Sequence, residues 1–154
     1  MRLALYEPDI PQNTGTILRL AACLGVAVDV IQPAGFDLTD RALKRAGLDY
    51  LQHVEIERHQ SFATFDRLRR QTGSRLVLLS TRGTTPYIDF AFTAPDVLLL
   101  GRESLGVPEG VHAAVDASVR IPMREGLRSL NVAVAAAMVL GEALRQTGLM
   151  PHVG

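Results

Sequence analysis

The alternation of short apolar runs with helical patterns limits this chain to a narrow set of folds. Apolar runs of strand length occupy residues 3–6, 26–31, 54–57, 75–80, 96–100 and 118–121. Helical spacing, or a capping residue followed by helix formers, marks residues 13–24, 39–46, 62–71, 108–115 and 129–146. Strands that alternate with helices predict an α/β fold, with a mainly parallel sheet covered by helices on both faces.

Size and composition indicate one domain, residues 1–154, with its own core. The chain has 154 residues, of which 47% are hydrophobic and 21% charged, so a disordered chain is excluded. The formal net charge is zero. Any contact with nucleic acid must therefore come from a local basic patch, doubled if the protein dimerises. The N-terminus is too short for a signal peptide and no apolar run spans a bilayer, so we expect a cytoplasmic protein with no membrane contact.

The cysteine and the histidines predict neither a disulfide nor a metal site. Cys23 is the single cysteine and lies in an apolar run, so we expect it to be a buried small residue. The four histidines lack the spacing of metal ligands, and no metal site is predicted; they are His53, His59, His112 and His152.

The first loop with candidate chemistry precedes the helix predicted at residues 13–24. In α/β folds, ligands bind at the carboxyl ends of strands, so loops that follow strands carry the information. Asn13 can cap the helix and keep part of its amide free, and Arg19 follows six residues later. The pair can then serve one edge of a pocket. The alternative is an ordinary cap and a surface arginine.

The second loop, residues 101–108, follows the apolar run that ends at Leu100. Gly101 removes a side chain at a point where a ligand could lie against the backbone. Neither the dinucleotide fingerprint nor a Walker motif is present, which excludes a Rossmann dehydrogenase. The alternative is a plain glycine-rich turn.

The third loop, residues 121–131, leads into the last helix. Ser129 and Asn131 are both good capping residues, and because one suffices, the other is spare. The helix that follows is apolar nearly all round, which predicts that one of its sides meets another chain. The alternative is a wholly internal helix.

Together these three loops resemble the SPOUT superfamily of RNA methyltransferases, and most closely its tRNA (cytidine(34)-2'-O)-methyltransferases. The matching residues of the first motif are Leu5, Tyr6, Glu7, Pro8, Pro11, Asn13, Thr14, Gly15 and Arg19. Those of the second and third motifs are Gly101, Glu103, Gly106, Pro108, Ile121, Pro122, Met123, Ser129, Leu130 and Asn131. Residues 45–50 form a further segment that is typical of the wobble-nucleotide group. Gly141 departs from the pattern, because some of those enzymes have a tyrosine there.

The resemblance implies a C-terminal deep trefoil knot and a homodimer in which each site is completed by the partner chain. It implies S-adenosyl-L-methionine as methyl donor, held in the knot by Leu79, Gly101, Ile121, Ser129 and Leu130. The implied substrate is the 2'-hydroxyl of the wobble nucleotide 34, a cytidine or uridine, in a tRNA anticodon stem-loop. No DNA contact is implied.

The resemblance also implies a catalytic set, namely Arg19, Asn13, Glu103, Ser129 and Asn131. A guanidinium stays protonated at ordinary pH, so we expect Arg19 to stabilise the developing alkoxide rather than to act as a base. Glu103 would anchor Arg19, and Asn13 would position Arg19 or the ribose. Ser129 and Asn131 would shape the donor loop. RNA contact is expected from some of Arg41, Lys44, Arg45, Arg82, Arg102, Arg124 and Arg128.

Two alternatives to this function stay open. One is 2'-O-methylation at another tRNA or rRNA position, and the other is a non-catalytic module that binds S-adenosylmethionine or RNA. Turnover on tRNA would exclude the non-catalytic module. The position of the methyl group in the product would distinguish methylation of nucleotide 34 from methylation of another tRNA or rRNA position.

Overall fold

The computed structural model describes residues 1–37 and 41–153. The strands are β1 (Arg2–Tyr6), β2 (Ala27–Ile31), β3 (Ile56–His59), β4 (Leu76–Leu79), β5 (Thr85–Pro86), β6 (Val97–Leu100) and β7 (Ala117–Arg120). The helices are α1 (Pro11–Leu24), α2 (Arg41–Gly47), α3 (Phe62–Thr72), α4 (Glu109–Ala114) and α5 (Val132–Thr147). Two 3-10 turns, Leu48–His53 and Tyr87–Asp89, and the two-residue strand β5 were not predicted from the sequence.

The strands form one sheet in the order β3-β2-β1-β6-β4-β7-β5, and every described pair within it is parallel. At the centre, Leu79 of β4 lies opposite Leu100 of β6 on one side and Val119 of β7 on the other. Strand β7 is inserted between β4 and β5, which are consecutive in the chain. The predicted parallel α/β fold is therefore confirmed.

Alternate residues of each strand pack on opposite faces of the sheet, as the period of two requires. On one face, Leu3 and Leu98 join the buried residues Ile17 of α1 and Leu140 of α5 in a single apolar cluster. On the other face, neighbouring strand residues such as Leu99 pack with Phe65 of α3 and Val111 of α4. Both faces are thus covered by helices. Each fully buried leucine contributes about 2 kcal/mol through apolar burial.

Helix α1 begins at Pro11, two residues before the predicted start, and Asn13 is not its cap. Ile10 occupies the capping position and its side chain makes no cap hydrogen bond. A proline in the first turn explains the shift, because its fixed φ suits the helix and its missing N–H needs no partner there. Gly25 ends the helix in the left-handed conformation, as predicted.

Helix α5 begins at Val132, three residues after the predicted start, and Asn131 caps it. The Asn131 side-chain oxygen accepts hydrogen bonds from the N–H groups of Ala133 at 2.8 Å and Val134 at 3.3 Å. Gly148 ends α5, as expected. The predicted cap of α2, Thr39, lies outside the described residues.

Two predictions about burial resolve differently. Cys23 is exposed, because α1 buries the side that carries Ile17 and Ala21, so the prediction of a buried cysteine is wrong. Helix α5 buries one side in the core but leaves Val134 and Met138 exposed, so it is not wholly internal. Within the described ranges, no helix is long and apolar enough to cross a membrane.

The segment that joins β4 to β5 lies in direct contact with the backbone of β7. Ser80 donates its N–H to the carbonyl of Val119 at 3.0 Å, and the Arg120 guanidinium donates to the carbonyl of Gly83 at 3.1 Å. A Cβ atom on Gly83 would lie 2.3 Å from the Val119 carbonyl carbon. Only glycine permits this approach.

We expect Gly83→Ala to lower the free energy of unfolding by about 2 kcal/mol or more, because backbone must shift to admit the methyl group. Gly141→Ala is the matched control, since a Cβ there meets nothing within 4 Å. It should raise the free energy of unfolding by about 1 kcal/mol, the helix propensity difference. Urea denaturation of both variants measures the two values. Equal effects would show that the contact between residues 80–84 and β7 is loose.

Candidate functional site

A cavity of about 570 Å³ opens at the carboxyl ends of β4, β6 and β7. These three strands are parallel neighbours, so the loops that follow them meet at one edge of the sheet. The cavity is lined by Asn13, Leu78, Leu79, Ser80, Thr81, Arg82, Leu100, Gly101, Arg102, Glu103, Leu105, Gly106, Val107, His112, Val119, Ile121, Met123, Ser129, Leu130, Asn131, Val132, Ala135 and Val139.

The lining combines an apolar floor with a polar rim. Leu79, Leu100 and Val119, at or next to the strand ends, form the floor, and the rim includes Glu103 and Ser129. Small-molecule sites in proteins have volumes of about 300–1,000 Å³ and this same combination of an apolar body with few polar groups. The cavity therefore suits a ligand of nucleoside size.

The structure brings together nearly all of the residues that the sequence singled out. The five residues expected to contact the donor all line the cavity, namely Leu79, Gly101, Ile121, Ser129 and Leu130. Four of the expected catalytic residues are not in that set, and three of these four also line the cavity, namely Asn13, Glu103 and Asn131. Arg19 is the exception among the described residues.

Asn13 and Asn131 join the first and third loops. The Asn131 amide donates to the Asn13 side-chain oxygen at 3.0 Å, while its own oxygen caps α5. Both polar ends of Asn131 are thus engaged. Ser129 stays outside the cap and exposed on the rim, which agrees with the expectation that one of the two capping residues is spare.

Gly101 permits the closure of its own loop and also lines the cavity. Arg102 and Gly106 exchange two backbone hydrogen bonds of 3.1 and 2.9 Å, which fold residues 101–106 back on themselves. A Cβ atom on Gly101 would lie 2.9 Å from the Gly106 backbone. The space that the missing side chain frees is therefore occupied by Gly106, a reason for glycine at this position that the sequence interpretation did not include. The contact of Gly101 with the donor stays a prediction.

Glu103 is held by Asp9 and not by Arg19. The Glu103 N–H donates to one Asp9 carboxylate oxygen at 3.2 Å, and the Asp9 N–H donates to the Glu103 carboxyl at 3.4 Å. The Ser104 hydroxyl donates to the second Asp9 oxygen. In the part of the chain that the structure describes, no hydrogen bond or ion pair joins Glu103 to Arg19. The expected anchoring contact is therefore not formed within one chain, and a contact between Glu103 and the Arg19 of a partner chain stays a prediction.

The two carboxyl groups have opposite pKa shifts. The bond from Glu103, followed by that from Ser104, lowers the pKa of Asp9 below its ordinary value despite partial burial. Burial, and then the bond to Asp9, raises the pKa of Glu103 to about 7. Two carboxyl groups in contact share one proton, because both cannot be ionised at low cost. Below about pH 7, therefore, Asp9 is ionised and Glu103 carries the proton.

Arg19 lies on the exposed side of α1, with its guanidinium carbon 4.5 Å above the centre of the Tyr50 ring. Six residues along a helix correspond to a rotation of about 120° from Asn13 and a rise of about 9 Å. The two side chains therefore do not share an edge of the cavity within one chain. Tyr50 belongs to residues 45–50, the segment that the sequence had set apart.

The basic residues expected to contact RNA fall into two groups. Arg102 lies 3.8 Å from Glu7 and stacks 5.4 Å from the centre of the Tyr6 ring, and Arg82 pairs with Glu109 at 2.9 Å. The remainder are exposed, three in α2 and two in the third loop: Arg41, Lys44, Arg45, Arg124 and Arg128. The exposed cations of α2 flank α1, which carries Arg19.

At the other end of the sheet, Asp29, Glu57 and His59 place one ligand-type atom each within 4.8 Å of one another. His59 bonds to Asp29 at 2.8 Å, and Arg2 donates to Asp29 at 2.8 Å and to Glu57 at 3.4 Å. The Arg2 guanidinium supplies the positive charge that these carboxylates require. The cluster is an ion-pair network that joins β1, β2 and β3.

Sequence reasoning missed Asp9 and the contact of Arg19 with Tyr50. Asp9 lies in the first loop, between two prolines that stiffen it. An acidic residue in such a loop, beside the end of a strand, could have been predicted to take part in the site. Nothing in the local sequence indicated that its partner lies 94 residues away.

Comparison with known proteins gives a consistent result. The model of the SpoU rRNA Methylase family matches residues 1–141. A protein from Beijerinckia indica named tRNA (cytidine(34)-2'-O)-methyltransferase is 62% identical over 151 residues, which are 98% of this chain and 94% of that protein.

Solved structures agree with the sequence matches. One described as "Structural insights into the 2-OH methylation of C/U34 on tRNA" has 45% identity and a TM-score of 0.90, and 94% of each chain is covered. The SpoU methyltransferase AviRb from Streptomyces viridochromogenes, in complex with AdoMet, has 32% identity and a TM-score of 0.85 over 95% of this chain and 57% of that one.

Proposed function

Because the chain belongs to the SpoU rRNA methylase family, we propose that it is a tRNA 2'-O-methyltransferase that acts on nucleotide 34. The methyl donor is S-adenosyl-L-methionine, and the acceptor is the ribose 2'-hydroxyl of a cytidine or uridine in the anticodon loop. One observation carries the proposal: residues of three separate motifs line a single cavity at the ends of three parallel strands. The names of the similar proteins support the choice of substrate.

The residues of the cavity fit the proposed donor. The apolar floor of Leu79, Val119 and Ile121 suits a flat adenine ring, and the volume of about 570 Å³ suits a nucleoside with an amino-acid arm. Ser129 and Leu130 on the rim complete the proposed donor contacts. The AdoMet complex of AviRb, which has the same fold, supports this assignment.

The donor supplies a methyl group on a positively charged sulfur. The chain must hold the ribose oxygen in line with that methyl group and stabilise the oxygen as its proton leaves. Asn13, fixed by Asn131 at 3.0 Å, orients the ribose at the rim. Arg19 provides a charged fork for the developing alkoxide and the adjacent phosphate.

Arg19 can reach a substrate only if the site extends beyond one chain's cavity. It lies on the exposed side of α1. Leu130, just before α5, and Val134 and Met138 within α5 form an exposed apolar stripe with a spacing of four residues, the α5 stripe. Such a stripe, left open to water, is a contact surface. We infer that two copies associate through this α5 stripe and that each cavity is completed by the partner chain.

The tRNA would lie across α2 and the mouth of the cavity. The exposed cations Arg41, Lys44 and Arg45 form a basic face next to α1, although the whole chain is neutral. A small local patch of this kind suits the phosphates of a stem-loop better than those of a long duplex. The anticodon stem-loop is the part of tRNA that contains nucleotide 34.

The knot and the single-domain organisation belong to the same proposal. Strand β7 lies between the consecutive strands β4 and β5, and residues 80–84 press on its backbone at Gly83. This arrangement supports a C-terminal segment that passes through the loop between β4 and β5. Residues 1–154 would then act as one methyltransferase domain.

The function is tested by incubating the protein with labelled donor and total tRNA that lacks the wobble methyl group. Mass spectrometry of nuclease fragments should place one methyl group on the ribose of nucleotide 34. Methylation of a different nucleotide would support the first alternative function, and donor binding without turnover on any tRNA would support the non-catalytic module.

We expect Arg19→Lys to lower kcat at least about ten-fold with little change in donor binding, because lysine keeps the charge but loses the planar fork. Arg67→Lys, at an exposed arginine of α3 outside the cavity lining, is the matched control and should behave as wild type. Single-turnover rates on the tRNA substrate measure the difference. Near-normal activity of Arg19→Lys would refute the proposed role of the fork.

We expect Met138→Asp to convert the protein to a monomer at micromolar concentration and to abolish most of its activity. A charge buried in an apolar contact costs about 3 kcal/mol or more, roughly a hundred-fold in affinity. Ile88→Asp, at a more exposed apolar residue outside the α5 stripe, should leave the mass unchanged. Sedimentation equilibrium gives the masses. A wild-type monomer would contradict the inferred dimer.

A further inference from the structure

Asp9 and Glu103 fasten two loops that are far apart in the sequence. Each residue donates its backbone N–H to the carboxyl group of the other, at 3.2 Å and 3.4 Å. The Ser104 hydroxyl adds a third bond to Asp9. The contact is reciprocal, as in a capping box, so it fixes the direction of both loops rather than one distance. Glu103 lines the cavity, while Asp9 stands behind it.

Asp9 is itself held from the side away from the cavity. Gly35 donates its N–H to the carbonyl of Pro8 at 2.8 Å, and a Cβ atom on Gly35 would lie 3.0 Å from the Asp9 Cα. Glu7 turns the chain into this loop with a φ of 41°, a left-handed conformation that costs a non-glycine residue about 1–2 kcal/mol. Asp9 is thus held in place by its own loop and by Gly35, and it in turn holds residues 101–106 in position.

We propose that Asp9 is a positioning residue, which secures residues 101–106 at the mouth of the donor cavity through its reciprocal contact with Glu103. The inference rests on the proposed function, because it takes the cavity to be the methyl-donor site. Its consequence is that donor affinity falls when the shared proton is lost. Asp9 touches neither substrate nor donor and acts through Glu103.

The direction of the pH effect follows from the secured state. While residues 101–106 contact Asp9, burial and the bond to Asp9 raise the pKa of Glu103 to about 7. If these residues moved away from Asp9, Glu103 would have its ordinary, lower pKa and would lose its proton at a lower pH. The contact is strongest at acidic pH and weakens as pH rises through about 7. Once both groups are ionised, the two neighbouring carboxylates repel each other, and this repulsion weakens the hold of Asp9 on residues 101–106.

The other charged groups near the pair are accounted for. Glu7 and Arg102, on the same two loops, pair with each other at 3.8 Å. Arg82, from the segment after β4, is paired with Glu109. His112 of α4 lines the cavity as well. The carboxyl partner of Glu103 among the described residues is Asp9, and these two groups set the effect.

Two conservative variants imitate the protonated pair. In Asp9→Asn the amide can donate to an ionised Glu103 while its oxygen still accepts from the Glu103 N–H. In Glu103→Gln the amide replaces the proton permanently. Asp9→Ala removes the contact at every pH. A merely structural role for Asp9 would lower stability in the variants but would not change the pH profile of ligand binding.

The test is the Kd for S-adenosylhomocysteine, measured by titration calorimetry between about pH 6 and pH 8.5. We expect the wild-type Kd to rise about ten-fold over this range, as loss of one linked proton allows. Asp9→Asn and Glu103→Gln should bind with a Kd that varies at most two- to three-fold, and Asp9→Ala should bind about ten-fold more weakly than wild type at pH 6. Asp89→Asn, at an exposed carboxylate outside the cavity lining, should keep the wild-type profile.

The outcomes separate this inference from the proposed function. Tight wild-type binding with a Kd that is independent of pH would overturn the shared-proton contact and leave the donor site standing. A wild-type pH profile in Asp9→Asn, which conserves the fold most closely, would also overturn it. Absence of binding by the wild-type protein at every pH would overturn the donor site and this inference with it.

Discussion

The position of β4 between β6 and β7 is the constraint on which the site depends. Parallel neighbours lie about 4.8 Å apart, so the loops that follow β6 and β7 start within about 10 Å of each other. The register that sets Leu79 opposite both Leu100 and Val119 aligns the three strand ends. Gly83 permits this arrangement, since it lets residues 80–84 lie against the β7 backbone. The cavity is a consequence of strand order before any polar residue is considered.

Two sets of polar contacts join the loops at these strand ends, and they differ in kind. Asn131 is fixed as the cap of α5 and in turn fixes Asn13, so the contact between the first and third loops is as rigid as the helix. The contact between the first and second loops depends on two carboxyl groups and one proton. Arg19 belongs to neither contact and stacks on Tyr50 outside the cavity.

The sequence was sufficient for the fold and for most of the singled-out residues that line the cavity, but not for their contacts. Apolar runs and helix-ending glycines such as Gly25 placed most elements, because these signals are local. The start of α1 was misplaced because the capping preference of Asn13 was weighed above the proline two residues earlier. Gly101 was correctly placed at the cavity, and its reason was missed because Gly106 fills the space only after the loop closes. Asp9 and Tyr50 could not be paired with their partners, since those contacts depend on strand order and helix packing.

The charge state of the carboxyl pair bears on the chemistry as well as on loop position. A protonated Glu103 beside an ionised Asp9 carries one net negative charge, and that charge is already bound by a backbone N–H and by Ser104. If both groups were ionised, Glu103 would place a free anion at the cavity that we propose holds the positively charged sulfur. An anion there would stabilise the donor before reaction more than after its charge is lost, which slows transfer. A contact that keeps Glu103 neutral thus holds the loop in place without adding to the barrier.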